Sequence, residues 1–264
     1  LREVSFRAVG GGSGKDCDLD HFDLEDPACF QLIVWNPEAD EIIGGYRFTR
    51  WKMASFHPNG QPYVNTEHLF DFSQKFLDNE FPHCIEMARA FVQPKYQSAA
   101  GGRKALFALD NLWDGIGGLI ATDPTVKYLS GKVTIYSTSP EMSRKAMVYY
   151  LDMSFGDREG LITSKNPETC TPEQIAFFKE LFTGADYKEN YAILNNYVKS
   201  LGDSIPPFIH LYIGLSPTMK TFGTTFDPDF GDCYDTAMII TTDDIYPDKY
   251  KRYVESYEKC KVRK

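Results

Sequence analysis

The sequence predicts an α/β protein in which helices flank a mixed sheet. Runs rich in β-branched and aromatic residues alternate with segments whose apolar residues recur every three to four positions. A chain of 264 residues is long enough for one large domain with its own core. We therefore expect a single domain over residues 1–264, with its core at about 1–155 and a helical and strand extension over 156–264.

Strands are predicted from short β-rich runs bounded by turn residues. The runs CFQLIVW (29–35) and EIIGGYRFTR (41–50) flank an Asn-Pro turn and so predict a hairpin. Further strands are expected at 4–9, 85–92, 127–136 and 234–242. A flexible GGGSG stretch (10–14) and an acidic loop (16–27) are expected after the first strand.

Helices are predicted where apolar residues recur at helical spacing behind a suitable start residue. The segment 102–122 has five such residues and is expected to be amphipathic. Thr171-Pro172 favours another helix start, because proline suits the first helical position. The remaining helices are expected at 66–78, 140–153, 187–200 and 247–260.

Composition and charge argue against several classes of protein function. A formal net charge of −9 argues against a nucleic-acid partner, because no basic domain is available to neutralise phosphates. The six cysteines are scattered without C-x-x-C spacing, which indicates reduced cytoplasmic thiols rather than disulfides or zinc ligands. No apolar run approaches the roughly 18 residues that a membrane helix needs. We therefore expect a cytoplasmic protein that makes at most a peripheral contact with a membrane.

The strand IEMARAFV (85–92) contains two charged residues in an otherwise apolar run. In a regular strand Glu86 would share one face with Ala88, while Arg89 would point to the other face, unless a bulge altered the alternation. Buried charges are costly unless they are paired. Glu86 and Arg89 are therefore either ion-paired residues of an edge strand, with Arg47 as a further partner, or parts of a functional site.

The segment QSAAGG (97–102) follows this strand and leads into the helix expected at 102–122. Free N–H groups at a helix start bind anions, and glycine lets a phosphate approach the backbone closely. The segment is therefore either a plain loop or the cradle for the phosphate of a carrier such as coenzyme A or phosphopantetheine.

Several motifs together resemble the GNAT acyltransferase superfamily. The loop QSAAGG resembles the Q/R-x-x-G-x-G/A donor loop, from which it departs by one residue. The run EMARAFV resembles the E-x-x-R-x-x-V element of acyl-homoserine lactone synthases and ornithine-lipid N-acyltransferases. Two further elements of these families resemble DHFD (20–23) and GYRF (45–48). Elements of the lipid branch resemble LDNLWDGI, YLSGKVTIY and the block 206–240.

The resemblance implies a GNAT-like fold and a specific reaction. A long fatty acyl chain, often 3-hydroxylated, would pass from acyl carrier protein, or from acyl-coenzyme A, to the α-amine of an amino acid. Ornithine is the acceptor in the best-known members and glycine in others, and the products are lipoamino acids for membranes. Beyond the acyl donor no cofactor is expected.

The resemblance also assigns roles to residues. Glu86, Arg89 and Arg47 are expected to be catalytic: the carboxylate removes or binds the amine proton, while an arginine binds the acceptor carboxylate. Structural pairing of these arginines with Glu86, Asp20 or Asp23 remains open, and the two aspartates are expected to support the site. The donor would be bound by Val92, Gln97, Gly101, Gly102 and Arg103, and no metal is expected. By their charge alone, Arg103-Lys104 and Arg144-Lys145 are either ordinary helix surface or contacts for the acidic carrier protein.

Two other functions were considered. An acyl-homoserine lactone synthase would use S-adenosylmethionine, but the region after Phe6 holds GGGSG where that family has a tryptophan. A membrane-damaging hemolysin, the label often given to the lipid branch, would need an apolar span or a long basic amphipathic helix. Neither feature is found in the sequence, so an amino-acid N-acyltransferase is the favoured interpretation.

Overall fold

The structure, a computed structural model, describes residues 1–97 and 103–257. Its strands are β1 (Cys29–Asn36), β2 (Glu41–Arg50), β3 (Phe70–Phe72), β4 (Cys84–Val92), β5 (Tyr128–Ile135), β6 (Ile162–Ser164), β7 (Lys220–Asp227) and β8 (Cys233–Thr241). Its helices are α1 (Arg2–Arg7), α2 (His21–Leu24), α3 (Gln74–Asn79), α4 (Arg103–Thr122), α5 (Glu141–Phe155), α6 (Pro172–Leu181), α7 (Tyr187–Ser200), α8 (Pro207–Ile213) and α9 (Pro247–Tyr250). A π turn (Lys251–Glu255) continues α9.

Six strands form one mixed sheet in the order β1-β2-β4-β5-β8-β7, while β3 and β6 pair with each other. Within the described part of the chain, β4 and β5 are the one parallel pair. A parallel pair needs a long crossover, and α4 lies in that connection. The α/β fold class is therefore confirmed.

The largest apolar cluster joins the sheet to its helices. Leu112, Trp113 and Ile116 of α4 are buried against Tyr46 and Phe48 of β2, and residues of α5, α7 and α8 complete the cluster. The apolar face predicted for 102–122 is thus a core face, and Trp113 is a core residue. Among the described helices, none is long and apolar enough to cross a membrane.

The parallel pair opens into a fork. β4 and β5 are paired from Cys84–Tyr128 to Met87–Gly131 and no further. Beyond that point β4 pairs with β2, with a shift of one residue between Arg47 and Gly45, and β5 pairs with β8. The extra residue lies in β4, where Arg89 has φ +50°. A bulge of this kind bends its strand, and here it leads β4 away from β5.

Two sequence-based expectations were wrong. Residues 4–9 are not a strand: α1 covers Arg2–Arg7, with Glu3 and Phe6 buried one helical turn apart. Residues 66–78 are not one helix either, because Phe70 and Phe72 alternate with exposed Asp71 in β3 and Ser73 caps the short α3 that follows. In residues 4–9 the apolar residues suggest the two-residue period of a strand, and in residues 66–78 they suggest the 3.6-residue period of a helix. Neither period matches the element that forms.

The GGGSG stretch is held in place rather than flexible. The backbone N–H groups of Ser13 and Gly14 donate to the buried carboxylate of Glu3, at 3.0 and 2.9 Å. Gly10, Gly12 and Gly14 have positive φ angles, which glycine adopts without strain. The stretch therefore packs as a turn around Glu3.

The strands predicted at 29–35, 41–50, 85–92, 127–136 and 234–242 are confirmed as β1, β2, β4, β5 and β8. The helices predicted at 102–122, 140–153 and 187–200 are confirmed as α4, α5 and α7. Thr171 begins α6 through a capping box with Gln174, as the Thr-Pro signal predicted. The acidic loop contains the short helix α2. Strand β7 and helix α8 have no counterpart among the predicted elements.

Close packing of α4 on the π turn generates a stability prediction. A Cβ added at Gly117 would fall inside contact distance of the Tyr253 backbone carbonyl, so Gly117→Ala must push the helix and the turn apart. We expect thermal melting to show a Tm lower by roughly 3 °C or more, although glycine-to-alanine changes inside helices usually stabilise. Gly118→Ala is the control, because its Cβ would meet only the ring of Tyr257, at 3.2 Å. Equal Tm changes in both variants would contradict this packing.

Candidate active site

Glu86 lies in β4 with only 1 % of its surface exposed. Its Oε1 accepts a hydrogen bond from the Thr66 hydroxyl at 2.5 Å. Its Oε2 accepts from the Trp51 indole N–H and from the Asn65 backbone N–H, each at 3.2 Å. The carboxylate thus accepts three hydrogen bonds, all of them from neutral donors.

Arg47 lies in β2 and is also only 1 % exposed. Its Nη1 donates to Asp20 at 2.6 Å and to Asp23 at 3.1 Å, and its Nη2 donates to Asn65 Oδ1 at 3.2 Å. Arg47 therefore pairs with the two aspartates rather than with Glu86. Asn65 links the two groups, since its side chain accepts from Arg47 while its N–H donates to Glu86.

The two aspartates are positioned by helix α2. Asp20 caps this helix, and Asp20 and Asp23 form a reciprocal capping box. Arg2 of α1 donates to both carboxylate oxygens of Asp23, at 2.8 and 2.7 Å. Although burial alone would raise the pKa of Asp23, the hydrogen bonds from Arg2 and the charge of Arg47 hold that pKa well below its usual value.

Arg2 and Asp18 complete this group, and sequence reasoning missed both. Arg2 Nε lies 2.9 Å from Asp18 Oδ2, and Asp18 is buried. Asp18 lies two residues before the quoted DHFD element, and Arg2 lies in the segment taken for a strand. The signal that could have found Arg2 is the i, i+4 spacing of Glu3 and Arg7, which indicates a helix there.

Arg89 sits at the bulge and reaches the same group of aspartates. Its Nε lies 3.3 Å from Asp18 Oδ2 and its Nη2 lies 3.7 Å from Asp20 Oδ2. Since Arg47 contacts Asp20 too, both arginines point to one side of the sheet. Arg89 therefore lies on the Glu86 side rather than on the opposite face expected of a regular strand, because the bulge reverses the alternation.

The edge-strand interpretation was wrong as well. β4 lies between β2 and β5 inside the sheet, and the ion-pair partners of Arg89 are Asp18 and Asp20, not Glu86.

Arg47 and Arg89 differ in how far their side chains are exposed to solvent. The side chain of Arg89 is 21 % exposed and makes none of the hydrogen bonds found among the described residues, whereas Arg47 is buried with three. Arg2, Arg47 and Arg89 face Asp18, Asp20 and Asp23, so formal charges within this cluster balance. Arg89 is consequently the arginine that can engage a carboxylate arriving from solvent, while Arg47 orders the aspartates.

Polar groups also lie on the other side of the fork. A Cβ added at Gly131, the last β5 residue paired with β4, would lie 3.4 Å from the Tyr212 hydroxyl. Tyr46 and Tyr212 are neighbours, and burial raises the pKa of each phenol. Both phenols are therefore protonated at neutral pH, where they can donate hydrogen bonds.

The expected donor residues are described in part. The Gln97 side chain donates to the Val92 carbonyl at 2.9 Å and to the Ser5 carbonyl at 3.3 Å. Gly101 and Gly102 lie outside the described residues, as does the rest of the expected phosphate cradle. Arg103 is the first residue of α4, as the sequence predicted, but its side chain is not described.

Comparisons with known proteins fit this geometry. A family model described as an acetyltransferase (GNAT) domain matches residues 1–105, which include β4 and its bulge. The glycine N(alpha)-acyltransferase of Phocaeicola vulgatus is 44 % identical over 260 residues, covering 98 % of this chain and 79 % of the relative. That of Bacteroides thetaiotaomicron is 44 % identical over 260 residues, covering 97 % and 76 %. The chain belongs to the amino-acid N-acyltransferases of the GNAT superfamily. No solved structure matches it significantly.

The resemblance drawn from the EMARAFV strand is thereby confirmed for this acyltransferase. The second part of the expected carrier-protein surface is the pair Arg144-Lys145. Lys145 is buried and forms an ion pair with Glu168 at 2.7 Å. Arg144 pairs with the same carboxylate at 3.1 Å and lies over the Tyr234 ring. Both cations thus have structural partners within the fold, and their contact with a carrier protein stays a prediction.

One group in the described part of the acyltransferase has the residue types of a metal site. Ligand atoms of His68, Asp227 and Asp229 lie within 4.8 Å of one another. His68 and Asp229 are exposed and form an ion pair at 3.0 Å. This contact joins the turn Asn65–His68 to the turn after β7.

The depressed pKa of Asp23 predicts a pH-dependent stability. Its folded value lies below the unfolded value of about 3.9, so its stabilising contribution is complete above that pH and is lost as pH falls toward the folded pKa. Asp23→Asn should lower the free energy of unfolding by about 3 kcal/mol or more at pH 7, as for a broken buried pair. Urea unfolding at pH 7, 5 and 3 should show this deficit shrinking at pH 3. Asp152→Asn, in an exposed pair with Arg158, should show almost none. A constant Asp23→Asn deficit would contradict the assignment.

Proposed function

We propose that this acyltransferase transfers a long fatty acyl chain, 3-hydroxylated in many related enzymes, from acyl carrier protein to the α-amine of glycine. The product would be a lipoamino acid for membranes, released by a cytoplasmic enzyme that contacts the membrane peripherally. The names of the two curated relatives support glycine as the acceptor. The observation that carries the proposal is the β4–β5 fork, with Glu86 and the partly exposed Arg89 beside it.

The fork suits the donor arm. Backbone groups of β4 and β5 no longer pair with each other beyond Met87 and Gly131. The amides of a phosphopantetheine arm can pair with such groups as an added strand does. Its thioester would then lie near the bulge, where a free backbone N–H can stabilise the oxyanion of the tetrahedral intermediate.

Glu86 and Arg89 suit the acceptor. At neutral pH most of an α-amine with a pKa of about 8 is protonated, so attack on the thioester requires a base. Glu86 accepts three hydrogen bonds from neutral donors and lies one residue before the end of the parallel pairing. Arg89 would bind the carboxylate of the amino acid, in an ion pair strengthened by its partly buried surroundings. Arg47 and Asp20 would hold Arg89 and the turn at Asn65 in register.

The thiolate that leaves must receive a proton. Tyr212 and Tyr46 are protonated phenols at the base of the fork, on the side opposite Arg47. After the nitrogen has bonded to the carbonyl carbon it must lose a second proton. Either phenol can pass its own proton to the sulfur while that nitrogen proton returns, through water, to the phenol oxygen, so the free thiol departs with the carrier and the phenol ends protonated. Neither step requires a covalent intermediate on the enzyme.

The proposed substrates can be tested directly with the purified chain. Glycine and ornithine are offered in turn, each with a long-chain acyl donor carried either by acyl carrier protein or by coenzyme A. Mass spectrometry should detect N-acylglycine in preference to N-acylornithine, with the protein-borne donor giving the higher catalytic efficiency. Preference for ornithine would overturn the acceptor, and equal efficiency of the two donors would overturn the carrier protein.

Glu86→Gln tests the base. The amide keeps the volume, its oxygen can accept from Trp51 and Asn65, and its NH₂ can donate to the Thr66 hydroxyl, so the fold should persist. We expect turnover to fall roughly 100-fold with an unchanged melting temperature. Asp235→Asn is the control, because it also removes a buried carboxylate from the sheet, one paired with Lys132 at 3.2 Å. Its turnover per folded molecule should stay normal. Normal turnover of a folded Glu86→Gln variant would exclude Glu86 as the base.

A further inference from the structure

We infer that Phe230 is a positioning residue that fixes the direction of Arg89 for binding the acceptor carboxylate. The Phe230 ring lies under the Arg89 guanidinium, with 5.0 Å between Cζ and the ring centroid. Because the Arg89 side chain has no hydrogen bond to any residue within 1–97 or 103–257, and its two ion pairs are 3.3 and 3.7 Å long, the ring is a principal contact that orients it. This inference rests on the acceptor role proposed for Arg89.

The turn that carries Phe230 is fixed on several sides. Gly231 and Asp232, which follow it, have φ angles of +74° and +54°. The Asp227 carboxylate accepts from the Asp229 N–H at 3.0 Å, and the Ser137 hydroxyl donates to the Gly231 carbonyl at 3.1 Å. The ring therefore sits on a locally determined backbone and offers Arg89 a stable surface.

The turn also contacts the rest of the site. Asp229 pairs with His68, at the end of the turn whose Asn65 and Thr66 donate to Glu86. The connection between β7 and β8 thus contacts the proposed carboxylate-binding arginine directly, through Phe230. It reaches the proposed base indirectly, through the turn Asn65–His68.

Phe230 contributes little to the main core. It belongs to a small cluster with Phe6 and Phe91, separate from the two large ones. Phe6 meets its ring edge-on at 5.1 Å, and a Cβ added at Gly11 would lie 3.1 Å from it. The glycine of the GGGSG stretch therefore leaves room for the ring. A leucine at position 230 would keep the apolar contacts and lose the aromatic face.

The experiment measures steady-state kinetics with glycine for four folded proteins: the wild type, Phe230→Leu, Arg89→Ala and the double variant. Phe230→Leu should raise the KM for glycine by roughly 2- to 30-fold, the range of cation–π contacts, while kcat and the donor KM change less than twofold. Phe230→Tyr should restore the wild-type KM. In the Arg89→Ala background Phe230→Leu should have no further effect, since its target is gone.

Phe226→Leu is the matched control, because Phe226 lies on the same hairpin and packs on Tyr234 at 5.4 Å. It should leave the KM for glycine unchanged. If Phe230→Leu fails to fold, Phe230→Met takes its place. A KM increase of equal size with and without Arg89, or failure of Phe230→Tyr to restore it, would overturn the inference. An unchanged KM in Arg89→Ala would overturn the acceptor role itself, whereas a change in Arg89→Ala alone would overturn only the role of Phe230.

Discussion

One extra residue in β4 sets the geometry of the site. Between the partners of Arg47 and Gly45, β4 carries one residue more than β2, and Arg89 takes a left-handed backbone conformation there. The bulge has two consequences. It ends the pairing of β4 with β5, so that a fork opens in the middle of the sheet, and it turns Arg89 toward the side that Arg47 already occupies. A non-glycine residue with positive φ is strained by itself, so the surrounding contacts must hold this conformation, and the aspartates and Phe230 supply them.

The arginine side of the sheet is governed by the cost of burying charge. Three arginines and three aspartates share this space, and removing any one would leave a charge without its partner. The cluster also explains why the first 24 residues fold onto the sheet. Arg2 of α1 binds Asp23, while Asp20 and Asp23 of the α2 segment bind Arg47 of β2. Arg47 donates its three hydrogen bonds to Asp20, Asp23 and Asn65, and so holds this cluster together. The exposed edge of the cluster, at Arg89 and Asp20, is the part that a small amino acid can reach.

The sequence predicted best where one period dominates a long segment. Apolar residues at helical spacing from Leu106 to Ile120 predicted α4, and the β-rich run at 85–92 predicted β4. Prediction failed at residues 4–9, where alternating small and apolar residues concealed a helical turn around Glu3 and Phe6. Of the site, Glu86, Arg47, Asp20 and Asp23 were found through motif resemblance, and the structure brings them together. Arg2, Asp18 and Phe230 were not found, because their contacts join segments as far as 140 residues apart and no local pattern records such contacts.

The two faces of β2 suggest how the reaction is divided across the sheet. Tyr46 and Arg47 are consecutive, so their side chains point to opposite faces. Arg47 lies with the aspartates and Arg89, where we place the acceptor, and Tyr46 lies with Tyr212 at the base of the fork. A thioester held in the fork would therefore meet the amine from one face and expel its sulfur beside protonated phenols on the other. Glu86 would thus meet the nitrogen while the phenols meet the sulfur, so removal of a proton from the amine and delivery of a proton to the thiolate do not compete for one side chain.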